Sequence, residues 1–388
     1  MPFLRKYFQR FKFLMQLSKS TLFFSFYCFT LKRNKHYGII GYDEEFIIEG
    51  ILVMKSAYEY NKELIQRVTP LMSYDGGDLQ EWKVAARNKL SQLLGMDKLE
   101  KVNPEVAIEY EKKIDGATEI RFTYQSEAGY RVPCHLLLPD GVENPPLMIC
   151  LQGHSKGMHI SLGRPKFEGD KQSISEGDRD FCVRALKEGF AAISLEQRNF
   201  GECGGDENGP RCYESTMTNL LMGRTTLGER VWDISRLIDV IENEFSDKID
   251  TKSICCMGNS GGGTATAYAA ALEDRITLAM ISCAMCTFKD SIGAMTHCSC
   301  NYVPRMSEYF DMNDLMAMAY PKYFIQVSGI EDRIFPLFGA EQVFEKGKQA
   351  YEALGQGHRC TLVKGNGGHR FYANDAWPIV HKYLKSTH

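Results

Sequence analysis

Short, continuously apolar runs recur along the chain, at residues 147–151, 190–195, 253–257, 276–282 and 323–327, and a last strand is predicted at 359–363. Continuous rather than alternating apolarity marks strands that are covered on both faces. Between them, apolar positions fall at helical spacing over 179–188, 227–244, 262–272 and 340–354, and a terminal helix is predicted over 374–384. Strand and helix taking turns predicts an α/β fold, a mostly parallel central sheet with helices on both faces. Upstream, 106–114, 119–126 and 130–138 are strand-like and separated only by Asp115-Gly116 and Ala128-Gly129, which predicts an antiparallel meander. Residues 56–94 carry two helical patterns, broken at Pro70 and Gly76-Gly77. The expected organisation is an atypical extension over 1–53, a helical segment over 54–104 and an α/β domain over 105–388. Two stretches, 155–177 and 285–321, are too long for ordinary connections and are predicted to form lid-like insertions that set specificity.

The first fifty residues break the pattern. They start basic and aromatic (M-P-F-L-R-K-Y-F-Q-R-F-K-F), and an apolar run over 22–31 follows. Ten residues are too few to span a bilayer as a helix, and no small-residue cleavage site follows them. A membrane-surface anchor and an artefactual upstream extension both fit, the second because Met54 opens a natural helical beginning. Elsewhere, a formal charge of −3 gives no broad electrostatic reason to bind nucleic acid. Thirteen cysteines, many inside apolar runs, predict packed thiols and a reducing, cytoplasmic compartment. Cys283 and Cys286 form a C-x-x-C, and His297, Cys298 and Cys300 an H-C-x-C, so zinc enters consideration. Neither has a second ligand pair at zinc-finger spacing, so no metal is expected.

The strongest chemical signal is S-I-C-C-M-G-N-S-G-G-G, residues 253–263, an apolar strand running into G-x-S-x-G and then a small-residue helix. A serine on so tight a turn sits in a strained backbone, and Gly258 and Gly262 are needed because side chains would collide across it. Ser260 is the expected nucleophile. The helix that follows directs free N–H groups at a developing oxyanion, with Gly261 as first donor. A serine hydroxyl needs a base, and the base an orienting acid. The strand at 323–327 ends in S-G-I-E-D-R-I-F-P, where Asp332 is preferred and Glu331 is its rival. The last strand leads to K-G-N-G-G-H-R-F, which presents His369 in the order Ser…Asp…His. His358 and His381 fit solvated surface better. L-Q-G-H-S-K-G-M, after an earlier strand, offers the backbone N–H of His154 as second oxyanion donor. The His154 ring could also be read as base or metal ligand, but its place in the triad order is wrong. Arg198, in E-Q-R-N-F-G-E, is expected to pin the acid loop or the serine turn. Arg230, Asp233, Arg236 and Asp239, at helical spacing, read as a salt-linked surface or domain-joining face.

Together with G-R-T-T-L-G-E-R-V-W-D and H-C-S-C-N-Y-V-P, these motifs resemble the acetyl-xylan-esterase-like and dienelactone-hydrolase-like α/β-hydrolases, from about residue 56 to the C-terminus. The resemblance implies an α/β-hydrolase fold, nucleophile Ser260, acid Asp332, base His369 and an oxyanion loop at Gly153-His154. Dienelactone hydrolases use a cysteine nucleophile, so Ser260 favours the esterase branch. The expected activity is hydrolysis of small acyl esters, acetyl above all, of a small molecule or oligosaccharide, with no cofactor. A serine exopeptidase or amidase using the same triad is the alternative. A catalytically dead binding or membrane-associated protein is the reading of a different class, suggested by the N-terminus.

Overall fold

The computed structural model describes residues 55–385, so the basic-aromatic start, the apolar run and Met54 lie outside the described residues. Nine strands form one sheet in the order β1-β2-β3-β5-β4-β6-β7-β8-β9. The meander comprises β1 (Ala107–Ile114), β2 (Ala117–Glu127) and β3 (Tyr130–Pro139), all antiparallel, and β3 meets β5 (Ala191–Leu195) antiparallel. From there the sheet is parallel through β4 (Pro146–Leu151), β6 (Asp250–Asn259), β7 (Ile276–Ser282), β8 (Tyr323–Gly329) and β9 (Cys360–Gly365). Every continuously apolar run thus falls on a strand of the parallel part.

Burial on both faces explains that composition. One core packs helices against one face of the sheet, and a second core packs its other face. The first core takes Leu90 and Leu94 from α1 (Leu79–Leu94), Ile234 and Leu237 from α2 (Thr226–Glu244), and Ala265 and Tyr268 from α3 (Gly261–Leu272). It continues into α4 (Met312–Met318) and α5 (Leu337–Glu352) through Leu315, Met316 and Phe344. The second core uses Phe181 and Cys182 of α6 (Phe181–Lys187) with Trp377 and Val380 of α7 (Ala373–Lys385). Interior close packing makes each such side chain worth about 1.5–3 kcal/mol relative to exposure. The Met- and Phe-rich end of 285–321 is therefore largely core, with Met306, Phe310, Met312 and Met318 all buried.

One sequence expectation fails on α2. Arg230 and Asp233 are fully buried and Arg236 is 2% exposed, so this is no surface face. The meander and the segment after β5 cover it. Asp233 accepts two hydrogen bonds from Arg198, both 2.8 Å, and one from Ser126 Oγ, while Arg236 donates to Val102 O and pairs with Asp239. Arg198 also reaches Glu127 and Glu229, and so it ties α2 to the meander rather than pinning the acid loop or the serine turn. Helical spacing of charges states that they share a face, not what covers it.

Candidate active site

Strand β6 delivers Ser260 into a turn with φ 54° and ψ −123°, a conformation that an L-residue adopts only under constraint. The constraint is close approach of backbone. A Cβ on Gly262 would stand 2.1 Å from Leu151 O, and one on Gly258 would stand 2.3 Å from Gly262 C. The Ser260 N–H donates to Ser282 O (2.9 Å), which locks the turn to the end of β7. Ser260 itself is half-buried, and its Oγ makes no hydrogen bond among the described residues.

His369 lies on the loop between β9 and α7, and its Nδ1 is 2.8 Å from Asp332 Oδ2. Asp332 Oδ1 accepts from the N–H groups of Ile334 (2.8 Å) and Phe335 (3.1 Å), which fixes the carboxylate in its loop. Burial pushes this carboxyl up, but hydrogen bonding to His369 and the two backbone N–H groups outweigh it and hold it below its ordinary value. Glu331, the rival acid, is exposed. Phe335 stacks on the His369 ring at 6.0 Å between centroids. Ser282 lies between this loop and the serine turn, since its carbonyl accepts from Ser260 N and its hydroxyl donates to Asn259 Oδ1 (2.9 Å) with Arg370 O 3.4 Å away. Asp332 and His369 are thus hydrogen-bonded, and Ser282 bridges from the neighbour of His369 to Ser260. The Ser260–His369 hydrogen bond itself is not formed; in substrate-free sites such contacts often tighten only on binding.

The loop after β4 passes directly over the serine turn. A Cβ on Gly153 would be 2.8 Å from Asn259 O, and the His154 ring covers Gly261 so closely that a Cβ there would meet its Cε1 at 2.5 Å. The N–H groups of Gly261 and His154 have no protein acceptor among the described residues. Glu196, which sequence reasoning passed over, braces this loop from below. Its carboxylate accepts from Gln152 Nε2 (2.7 Å), Met158 N (3.0 Å) and Glu202 N (3.3 Å). The signal was an acid directly after a buried strand.

Burial raises the Glu196 carboxyl to about 7 from an ordinary 4.5, against the lowering by the N–H groups of Met158 and Glu202. An acid whose pKa is higher folded than unfolded costs stability as pH climbs through that interval. Glu196→Gln should therefore gain stability relative to the parent between about pH 5 and about pH 8. Melting curves at both pH values test this, and an unchanged difference would contradict it.

Two further groups approach the site. His297 contacts Ser291 Oγ (3.2 Å) and sits 5.4 Å, edge-on, from the Phe335 ring. Burial, then the nearby His154 and His369, lower its pKa. It stands apart from the ligating atoms of Cys298 and Cys300, contrary to a local H-C-x-C unit. Cys283 lies within 4.8 Å of Asp332 and His369, but burial and the Asp332 charge push its thiol up to about 12, which keeps it protonated. The Cys286 thiol instead donates to Pro336 O (3.6 Å).

Solved structures share this arrangement of strands and helices. A Bacteroides fragilis protein, provisionally assigned as an acetyl xylan esterase, superimposes with a TM-score of 0.70 at 12% identity, covering 86% of this chain and 96% of that one. The chain has the α/β-hydrolase fold. A methylesterase follows with a TM-score of 0.62 at 19% identity over 84% of this chain and 68% of that one. A glucuronoyl esterase from Solibacter usitatus gives 0.58 at 16% identity over 82% and 98%. At such identities the likeness is one of fold. In sequence, the family model of fungal glucuronyl esterases matches residues 182–286 of this chain, a stretch that contains the serine turn. No curated protein matches it in sequence. Among the described residues no helix is long and apolar enough to cross a membrane.

Proposed function

We propose that the chain is a serine esterase acting on carbohydrate esters, acetyl esters first, through an acyl-enzyme on Ser260. The observation that carries this reading is the Asp332–His369 pair, 2.8 Å apart, on loops that Ser282 links to the strained serine turn. Ser260 Oγ attacks the ester carbonyl carbon, and its proton passes to His369 Nε2, the nitrogen left free by Asp332. The imidazolium so formed is stabilised by the carboxylate, and the tetrahedral oxyanion is held by the N–H groups of Gly261 and His154. Collapse expels the alcohol, which takes the proton from His369. Water, deprotonated by the same nitrogen, then releases the acid and restores the serine.

The family model over 182–286 favours a second substrate reading, a uronoyl ester in which the sugar supplies the acid rather than the alcohol. Initial rates on acetylated xylo-oligosaccharide, a glucuronic acid alkyl ester and an aminoacyl anilide separate the cases. Turnover of the first well above the others is expected. Preference for the second moves the sugar to the acyl side, and preference for the anilide overturns the esterase reading in favour of an amidase.

A further inference from the structure

A second constellation adjoins the oxyanion loop, built from three segments far apart in sequence. His154, Cys212, Cys298 and Cys300 place one ligating atom each within 4.8 Å of all the others. His154 Nε2 is 3.0 Å from Cys300 Sγ, and Cys300 Sγ is 3.4 Å from Cys298 Sγ. A tetrahedral zinc with bonds of ~2.3 Å to sulfur and ~2.0 Å to nitrogen needs ligand atoms roughly 3.5–3.8 Å apart. The 3.4 Å sulfur pair is close to that spacing, the 3.0 Å nitrogen–sulfur pair is shorter, and all four atoms lie within 4.8 Å of one another. Disulfide bonding requires about 2.05 Å between sulfurs, which the 3.4 Å pair does not approach.

Charge supplies an independent argument. Arg230 is fully buried, its Nε has no partner, and it forms no salt bridge with a carboxylate among the described residues. Its guanidinium donates to Arg198 O (Nη2, 3.0 Å) and otherwise faces the cluster, Nη1 3.4 Å from Cys300 Sγ and Nη2 3.6 Å from Cys212 Sγ, 4.4 Å over the Phe200 ring. A buried cation without a counter-charge is strongly disfavoured. Three thiolates, one neutral imidazole and a divalent ion carry a net charge of −1, which Arg230 balances.

We propose that His154, Cys212, Cys298 and Cys300 form a tetrahedral zinc site, with the buried Arg230 guanidinium as its counter-ion. All four coordination positions are filled by protein, so the ion is structural rather than catalytic. It clamps the oxyanion loop at His154 to the segment at Cys212 and to the loop carrying Cys298 and Cys300. Sulfur-rich tetrahedral coordination selects zinc over magnesium or calcium. The sequence concealed the site because only Cys298 and Cys300 are neighbours.

The test is metal analysis of the full chain, purified under reducing conditions without chelator, followed by exchange with Co2+. About one zinc per chain is expected, and the Co2+ form should show thiolate charge-transfer and tetrahedral ligand-field bands. Cys298→Ser and Cys212→Ser should each weaken metal retention roughly tenfold or more, while Cys182→Ala and Ser260→Ala retain it. Metal content is read independently of turnover, so failure of the esterase reading leaves it standing. The Co2+ spectrum of the unsubstituted chain decides even where a variant does not fold. Protein that holds no zinc after reconstitution, a Co2+ spectrum without thiolate bands, or a disulfide between any two of these cysteines would overturn the proposal.

Discussion

Ser260→Ala should abolish ester hydrolysis, with a loss on the order of 10^5-fold in kcat, and leave thermal stability within about 0.5 kcal/mol of the parent. The two halves follow from the same geometry. Ser260 is half-buried and its Oγ has no hydrogen-bond partner among the described residues, so its removal leaves no partner unsatisfied. The strained φ of 54° belongs to the backbone and is shared by alanine. Turnover, by contrast, requires an attacking oxygen at that position. Parallel measurement of kcat and of the melting curve checks both parts, and a variant that folds and still turns over at the parental rate would remove Ser260 from the mechanism.

Asp332→Asn should lower kcat by about 10^3–10^4-fold with little change in KM. Asp332 Oδ1 is occupied by two backbone N–H groups, so an amide there keeps its oxygen on Ile334 and Phe335 and turns its NH2 toward His369. That donor forces the imidazole into the tautomer whose Nε2 carries hydrogen and cannot accept the serine proton. Glu331→Gln is the control, because that side chain is exposed and should change kcat by no more than about twofold. Steady-state kinetics of the two variants distinguishes them, and the reverse ranking would transfer the orienting role to Glu331.

The sheet was legible because strands buried on both faces cannot alternate polar and apolar residues. The serine turn was legible because close backbone packing at Gly258 and Gly262 excludes every other residue type. Helices at Asp170–Gly177 and Cys212–Leu221 were not, since both are short, capped without a side-chain hydrogen bond, and weakly patterned. The charged face of α2 misled for another reason. Arg198, Glu127 and Ser126, which neutralise and cover it, come from strands and loops that sequence spacing does not place beside a helix. The same limit hid the Arg230 cluster and the brace at Glu196. Position along the chain predicted the loop ends that carry Ser260, Asp332 and His369; the partners that buttress those loops depend on folding.

Peptide mapping by mass spectrometry after reaction with a fluorophosphonate tests whether Ser260, activated by His369, is the nucleophile. One adduct per chain is expected, on Ser260, formed rapidly by the parent protein and suppressed in His369→Ala. Labelling of another residue, or equal labelling of Ser260 without the imidazole, would contradict it.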